Sequence, residues 1–173
     1  MIMKRISNYT LLAIIAFLLF VSCKSKDERP PYQLEKQNTA TISIPYEELG
    51  GVKTIPVKLN GITMNMIYDT GCSGIHLSLN EVQTLYKNGK LTVNDILGSD
   101  YSSIADGSIV EVGKINIKEI IIGNGEDALI LHNKNASVSL NQVAPILLGN
   151  EVLDELASVE VDNVSKTINF YKK

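Results

Sequence analysis

A pair of β-type segments joined by Asn60-Gly61 constrains the fold more than any other feature of the sequence. VKTIPVKL (52–59) precedes this dipeptide and ITMNMIY (62–68) follows it, with apolar and polar residues alternating in the second segment. Asn-Gly between two such segments is the strongest short-range signal for a β-hairpin. The pattern therefore predicts two paired strands, the second of which ends at Asp69.

The turn after this hairpin has the sequence DTGCSG (69–74). An Asp at the end of a buried strand is costly unless its charge is hydrogen-bonded or shared. Glycine lets the backbone approach such a carboxylate and donate its N–H groups. A catalytic carboxylate needs these surroundings, so the turn indicates a carboxylate enzyme.

The rest of the chain from residue 39 onward is also dense in β-type patterns. Ser78 and Glu81 have the spacing of a capping box, which predicts a helix over Leu79–Lys87 that stops at Asn88-Gly89. Residues 90–99 are expected to be irregular or briefly helical. We predict a mostly β domain with about eight strands and two short helices, the strands at 40–46, 52–59, 62–68, 101–104, 108–122, 128–131, in the strand-to-helix segment 146–156, and in a final hairpin over 158–171.

The N-terminal segment is predicted to lie outside this domain. Lys4 and Arg5 precede an apolar run over 11–21, which is too short to span a membrane and suits a secretory signal peptide over residues 1–22. The run ends at Ser22-Cys23, which resembles a bacterial lipoprotein signal, so lipid attached to Cys23 would anchor the chain in a membrane. Residues 23–38 are charged and contain two prolines, so a flexible tether is expected between the lipid and a domain over 39–173.

Composition and residue counts narrow the function classes further. The formal net charge of −3 argues against a nucleic-acid partner, which would require clustered Lys and Arg. Of the two cysteines, Cys72 is left alone if Cys23 carries lipid, so no intrachain disulfide is expected. His76 and His132, the only histidines, have no recognisable metal-ligand spacing. We expect neither a metal nor a cofactor.

Three motifs over residues 40–171 together resemble the bacterial single-domain branch of the retropepsin-like aspartic proteases. They are the Asp-Thr-Gly turn at Asp69, the turn Ala105-Asp106-Gly107, and ILLGN (146–150) followed by a short helical pattern. The resemblance implies a retropepsin-like acid-protease half-barrel with a flap hairpin and one or two short helices. It also implies an aspartic endopeptidase.

The resemblance assigns roles by position. Asp69 would be the general acid and base, and Thr70 would lock two active loops together across a dimer axis. Gly71 would donate its N–H to the carboxylate, and Ser73 would hydrogen-bond the outer carboxylate oxygen. The flap residues Ala105, Asp106 and Gly107 would lie over the substrate. Leu148 and Gly149 would support the active loop.

The chemistry implies a homodimer. Peptide hydrolysis without a metal or a covalent nucleophile can use two carboxylates that share one proton. The chain contains one Asp-Thr-Gly motif, so the second Asp69 would come from another copy across a two-fold axis. The expected partners are a peptide or protein substrate, a second copy and a membrane. The expected location is the cell envelope, on its periplasmic side or at the surface.

The sequence leaves two other interpretations open. Cys72 as nucleophile with His76 as base is disfavoured, because an extended segment separates them by about 13 Å, and both histidines are expected on the surface or in loops. The other alternative is a non-catalytic lipoprotein that uses the same fold as a binding module. Dimerisation discriminates it from a peptidase, since an isolated monomer cannot form the pair of carboxylates.

Overall fold

The computed structural model describes residues 42–173, and the fold is mostly β, as predicted. The signal peptide (1–22), Cys23, the tether (23–38) and the first residues of the predicted domain lie outside the described residues. The described elements, in chain order, are β1 (Ile42–Pro45), β2 (Glu47–Leu49), β3 (Val52–Leu59), β4 (Ile62–Tyr68), β5 (Ile75–Ser78), α1 (Leu79–Lys87), a 3-10 turn (Val93–Asp95), β6 (Ile96–Ser103), β7 (Ile109–Ile122), β8 (Leu129–Ser139), β9 (Leu147–Leu148), α2 (Asn150–Leu153), β10 (Leu156–Asp162) and β11 (Thr167–Lys172).

The hairpin predicted at Asn60-Gly61 is confirmed. Leu59 pairs with Ile62 across the two-residue turn, and both turn residues have positive φ, 46° and 89°, as a primed turn requires. Alternate residues of both strands are buried in the core: Ile55, Val57, Leu59, Met64 and Met66. Asp69 therefore lies at the end of a strand whose inner face is packed against the core.

Helix α1 has the predicted bounds. The Ser78 hydroxyl accepts a hydrogen bond from the Asn80 backbone N–H at 3.1 Å, and the Ser78 N–H donates to Glu81 Oε2 at 3.1 Å. This capping box satisfies two N–H groups that the first helical turn leaves unpaired. At the C-terminal end of α1, the Gly89 N–H donates to the Tyr86 carbonyl at 3.0 Å.

Two predicted strand boundaries were wrong, and one strand was missed. Strand β6 begins at Ile96 rather than 101, strand β8 runs to Ser139 instead of ending at 131, and β2 was not predicted. Nearly all of β6 and β2 is exposed. Backbone pairing with one neighbour therefore defines these strands, and their sequences do not show the alternation of apolar and polar residues that a buried face produces. The described residues therefore contain more strands than predicted.

The strands form two sheets. Eight of them follow the order β2-β3-β4-β9-β5-β8-β7-β6, and an additional pairing of β3 with β7 closes six of them into a ring. The other sheet has the order β1-β11-β10. Apolar side chains from both sheets and both helices form one core. Within 42–173, no helix is long and apolar enough to cross a membrane.

Candidate active site

Asp69 lies directly after β4 and is fixed through its backbone and its side chain. Its N–H donates to the Leu148 carbonyl at 3.1 Å, and its Oδ1 accepts a hydrogen bond from the Gly71 N–H at 2.8 Å. A Cβ at Gly71 would lie 3.1 Å from that same oxygen, so a side chain there would crowd the carboxylate. Asp69 is half-buried, which leaves the carboxylate both oriented and accessible.

Strand β9 joins the two ends of the active loop, residues 69–74. Leu148 pairs with Tyr68 in parallel and with Ile75 in antiparallel fashion, and its side chain is fully buried. The two residues of β9 therefore lie between the strand that enters the loop and the strand that leaves it. This position accounts for the apolar Leu147-Leu148 pair in the sequence.

Gly149 packs against the backbone of the active loop. A Cβ at this position would lie 2.4 Å from the Cys72 carbonyl oxygen and 2.5 Å from the Gly74 carbonyl oxygen. Both distances are far below van der Waals contact, and backbone atoms cannot move aside as a flexible side chain can. Only glycine fits here without displacing the loop.

The first residues of α2 hold the loop by three hydrogen bonds. The N–H groups of Asn150 and Glu151 donate to the carbonyls of Cys72 and Ser73, each at 2.9 Å. The Asn150 side-chain amide donates to the Thr70 carbonyl at 2.8 Å. N–H groups at a helix start have no partner within the helix. The loop carbonyls therefore supply hydrogen-bond acceptors for the first N–H groups of α2, and these hydrogen bonds fix the loop.

Ser73 does not make the contact that the resemblance implied. Within residues 42–173, no hydrogen bond joins the Ser73 hydroxyl to Asp69, and the side chains of Ser73 and Thr70 are both exposed. The carboxylate's hydrogen bond comes instead from the Gly71 backbone. Among the described residues, the hydroxyls of Thr70 and Ser73 therefore make no hydrogen bond to the carboxylate.

The predicted flap is the turn between β6 and β7. The Ile104 N–H donates to the Ser108 carbonyl at 3.0 Å, and the Ser108 N–H donates to Asp106 Oδ1 at 2.8 Å. Gly107 has φ of +84°, a backbone conformation in which a residue with a side chain would be strained. All of residues 103–109 are exposed, and across the described part of the chain no hydrogen bond or ion pair links this turn to the active loop.

The surroundings of Cys72 do not suit a nucleophile. Its Sγ donates to the Gly74 carbonyl at 3.1 Å. Burial raises the pKa of the Cys72 thiol, and the nearby negative charge of Asp69 raises it further, so the thiol stays protonated at neutral pH.

The two histidines are placed differently from each other. His76 was expected in a loop or on the surface, which was wrong: it lies half-buried in β5, with Nδ1 2.9 Å from the Ser137 hydroxyl oxygen, and burial lowers its pKa. His132 is exposed, as expected. In the described region no group of three His, Cys, Asp or Glu side chains could hold a metal ion.

An open pocket of about 600 Å³ lies beside Asp69, and most of its wall was not identified from the sequence. It is lined by residues of the β2–β3 hairpin, the end of β4, the segment around β9 and the final hairpin: Gly51, Val52, Lys53, Ile67, Tyr68, Asp69, Pro145, Leu147, Val161 and Asn163. One signal could have revealed Lys53. Thr54 pairs with Ile67 in the hairpin. Lys53, one residue before Thr54, therefore lies opposite Tyr68 and beside Asp69.

Comparison with solved structures identifies the fold. No protein-family model matches the chain, and no curated protein matches its sequence. Among solved structures, a retropepsin-like aspartic protease from Rickettsia conorii matches with a TM-score of 0.52 and 20% sequence identity, over 75% of this chain and 89% of that chain. The chain therefore has a retropepsin-like fold.

Proposed function

We propose that this protein is an aspartic endopeptidase that acts as a homodimer. The observation that carries the proposal is the Asp69 carboxylate, oriented by the Gly71 N–H on a loop that Gly149 and Asn150 brace, at the edge of an open pocket. The fold shared with a retropepsin-like aspartic protease supports the same chemistry.

In the proposed reaction, one Asp69 carboxylate takes a proton from water while the protonated Asp69 of the second copy donates its proton to the peptide carbonyl oxygen. The water oxygen bonds to the carbonyl carbon and forms a tetrahedral diol. The C–N bond then breaks as the amine nitrogen takes the proton now held by the first Asp69, and the carbonyl re-forms as a diol hydroxyl gives its proton to the Asp69 of the second copy. Two close carboxylates can share one proton in this way because both cannot ionise together.

The second copy is required because each chain supplies one Asp-Thr-Gly turn. An isologous dimer would bring the two Asp69 side chains together on its axis. The exposed Thr70 hydroxyl is assigned to the contact between the two loops, and Ser73 to the outer carboxylate oxygen of the assembled pair. The exposed turn Ala105-Asp106-Gly107 is assigned to the substrate backbone.

We further propose that the peptidase is a lipoprotein of the cell envelope, anchored through Cys23 and joined to its domain by the tether 23–38. Anchoring would confine the copies to one surface and raise their effective concentration for pairing. Growing cells with a labelled fatty acid tests this. We expect label on the protein and none on a Cys23→Ser variant.

The proposed activity is tested with the full chain in mild detergent and its Asp69→Asn variant. Each is incubated with a diverse peptide mixture from about pH 4 to about pH 8, and new termini are read by mass spectrometry. We expect the variant to cleave slower by about three orders of magnitude or more. Equal cleavage by both would overturn the assignment of Asp69, and a sedimenting dimer that cleaves nothing would favour a binding module.

A further inference from the structure

We propose that the pocket beside Asp69 selects a substrate carboxylate, and that Lys53 is the residue that determines this specificity. The inference rests on the proposed function, because it names the class of peptide that the same site takes. An acidic side chain, Glu above all, is the expected occupant.

Lys53 lies where the inner face of β3 reaches the pocket. Positions 55, 57 and 59 of this strand are buried in the core, and Lys53 continues the same alternation by one step. Its side chain is 24% exposed, so most of the side chain is packed and part of it remains accessible. A lysine in such a position keeps its charge at the surface of an apolar cleft.

The charge of Lys53 is only weakly balanced within the described residues. Its Nζ lies 4.0 Å from Glu48 Oε1, and the Glu48 side chain is 44% exposed. A pair at this distance in which one partner is exposed contributes little. Nζ also lies 5.3 Å from the centre of the Tyr46 ring, which attracts a cation without neutralising it. Apart from Asp69, whose carboxyl belongs to the proposed reaction, no acid lines this pocket.

Asn163 supplies a second donor to the same pocket. Its Oδ1 accepts a hydrogen bond from the Tyr46 hydroxyl at 3.1 Å, and within residues 42–173 its amide nitrogen has no hydrogen-bond partner. The turn that carries Asn163 is also fixed to Tyr46 by the backbone, since the Tyr46 N–H donates to the Lys166 carbonyl at 3.0 Å. Tyr46 itself is buried, so it holds Lys53 and Asn163 at the same end of the pocket.

Most of the remaining wall is apolar. Gly51 and Tyr68 contribute to it, and five apolar side chains form the rest: Val52, Ile67, Pro145, Leu147 and Val161. A side chain with methylene groups and a terminal carboxylate matches an apolar wall that ends in a cation and an amide donor. Hydrogen bonds to a charged group contribute more than neutral ones, so a Glu should be distinguished from its neutral isostere Gln. The same chemistry could come from the C-terminal carboxylate of a peptide.

The test uses acetylated and amidated octapeptides with Leu-Phe at the centre and Ala elsewhere. Glu, Gln or Lys replaces each flanking Ala in turn, and a matched set with a free C-terminus provides the other carboxylate. Cleavage is measured with the full chain. Binding is measured with its Asp69→Asn variant, which leaves the peptides intact.

We expect one flanking position at which Glu gives about tenfold higher kcat/KM and tighter binding than Gln at about pH 6. High salt should reduce this preference. Lys53→Met should bring the ratio of Glu to Gln close to one, Lys53→Glu should favour the Lys peptide, and Glu48→Gln should increase the preference. Lys58→Met is the matched control on the same strand, because Lys58 lines a different pocket, and its ratio should equal that of the original chain.

The outcomes separate this inference from the proposed function. Preferential binding of Glu without cleavage of any peptide would overturn the peptidase and support the carboxylate pocket. Cleavage without a preference for Glu at any position, or a preference that persists in folded Lys53→Met, would overturn the inference alone. A preference confined to the free C-terminus would support the carboxylate pocket and assign it to the chain end. If Lys53→Met does not fold, equal binding of Glu and Gln peptides by the Asp69→Asn protein still decides against the inference.

Discussion

Gly149 and Cys72 lie so close together that a single methyl group cannot fit between them. A Cβ on Gly149 would lie 2.4 Å from the Cys72 carbonyl oxygen, while the Asn150 N–H donates to that same oxygen at 2.9 Å. The active loop and the start of α2 are thus packed backbone against backbone. The position of Asp69 therefore depends on residues about 80 positions further along the chain, in accordance with the long-range contacts that define β folds.

Gly149→Ala should damage both stability and activity. Gly149 has φ of −110° and ψ of −169°, which any residue can adopt, so the cost is steric. We expect a loss of about 1–3 kcal/mol of unfolding free energy, typical of overpacking, and a large fall in kcat/KM as the loop shifts. Urea unfolding and peptide cleavage measure the two effects.

Gly113→Ala is the matched control for this substitution. A Cβ at Gly113 would lie 3.4 Å from the Val138 Cβ, an ordinary contact. Gly113 lies in strand β7 and, like Gly149, does not have a positive φ. Unfolding and cleavage close to those of the original chain are expected. Equal losses in both variants would contradict a specific role of Gly149.

Asn150→Ala should loosen the active loop without removing any backbone contact. It deletes the 2.8 Å hydrogen bond from the side-chain amide to the Thr70 carbonyl, worth about 0.5–1.5 kcal/mol. Because the loop positions Asp69, we expect kcat to fall by about tenfold or more while the substrate still binds. Asn150→Asp should be worse, because it places a carboxylate oxygen against the carbonyl.

Asn135→Ala serves as the control for the Asn150 variants. Asn135 is exposed on β8, and its side chain makes no hydrogen bond in the described part of the chain. Urea unfolding and kcat should both be unchanged. A full kcat in Asn150→Ala would show that the side-chain hydrogen bond does not position the loop.

The hairpin and helix α1 could be predicted because their signals are local. Asn60-Gly61 fixes a turn that only residues tolerant of positive φ can form, and Ser78 with Glu81 fixes the start of a helix. The active loop and its brace were found through the family resemblance, since nothing local says that Gly149 packs against Cys72. Packing between distant segments leaves no periodic pattern at either one.

Strand β8 shows why the rest could not be predicted. Its buried residues change from odd positions, Leu129 and Leu131, to even ones, Ala136 and Val138. Asn133, with φ of +52°, lies at the change. A strand that exchanges its faces has no single period of two, so the polar residues in its middle resemble a loop. The pocket beside Asp69 was missed for a related reason, because four separate segments form it.

Cys72→Ala should leave the peptidase active. The thiol is held protonated by burial and by the charge of Asp69, and a half-buried cysteine packs as a small apolar group. We expect kcat/KM within about twofold of the original chain and a change of less than about 1 kcal/mol in unfolding free energy. Brief treatment of the unmodified protein with iodoacetamide at neutral pH should likewise leave cleavage intact. Loss of activity in both experiments would instead favour the cysteine-hydrolase reading.

Asp95 should make stability depend on pH in the acid range where an aspartic peptidase would be assayed. Its carboxylate is buried. Hydrogen bonds from the Thr92 hydroxyl at 2.7 Å and from Lys118 Nζ at 3.0 Å lower its pKa in the folded state. The unfolded chain then binds protons more readily than the folded one. The stabilisation by Asp95 is therefore present above about pH 4 and lost as pH falls through the lowered folded pKa.

Asp95→Asn tests this linkage. The variant should be less stable than the original chain at neutral pH, and the difference should shrink as the pH is lowered, because protonation of Asp95 also removes the charge from the original chain. Urea unfolding at a series of pH values measures both curves. Asp127→Asn, a change of the same charge at an exposed position, should give a curve parallel to that of the original chain. A constant difference between Asp95→Asn and the original chain at every pH would mean that the hydrogen bonds of Asp95 act independently of its charge.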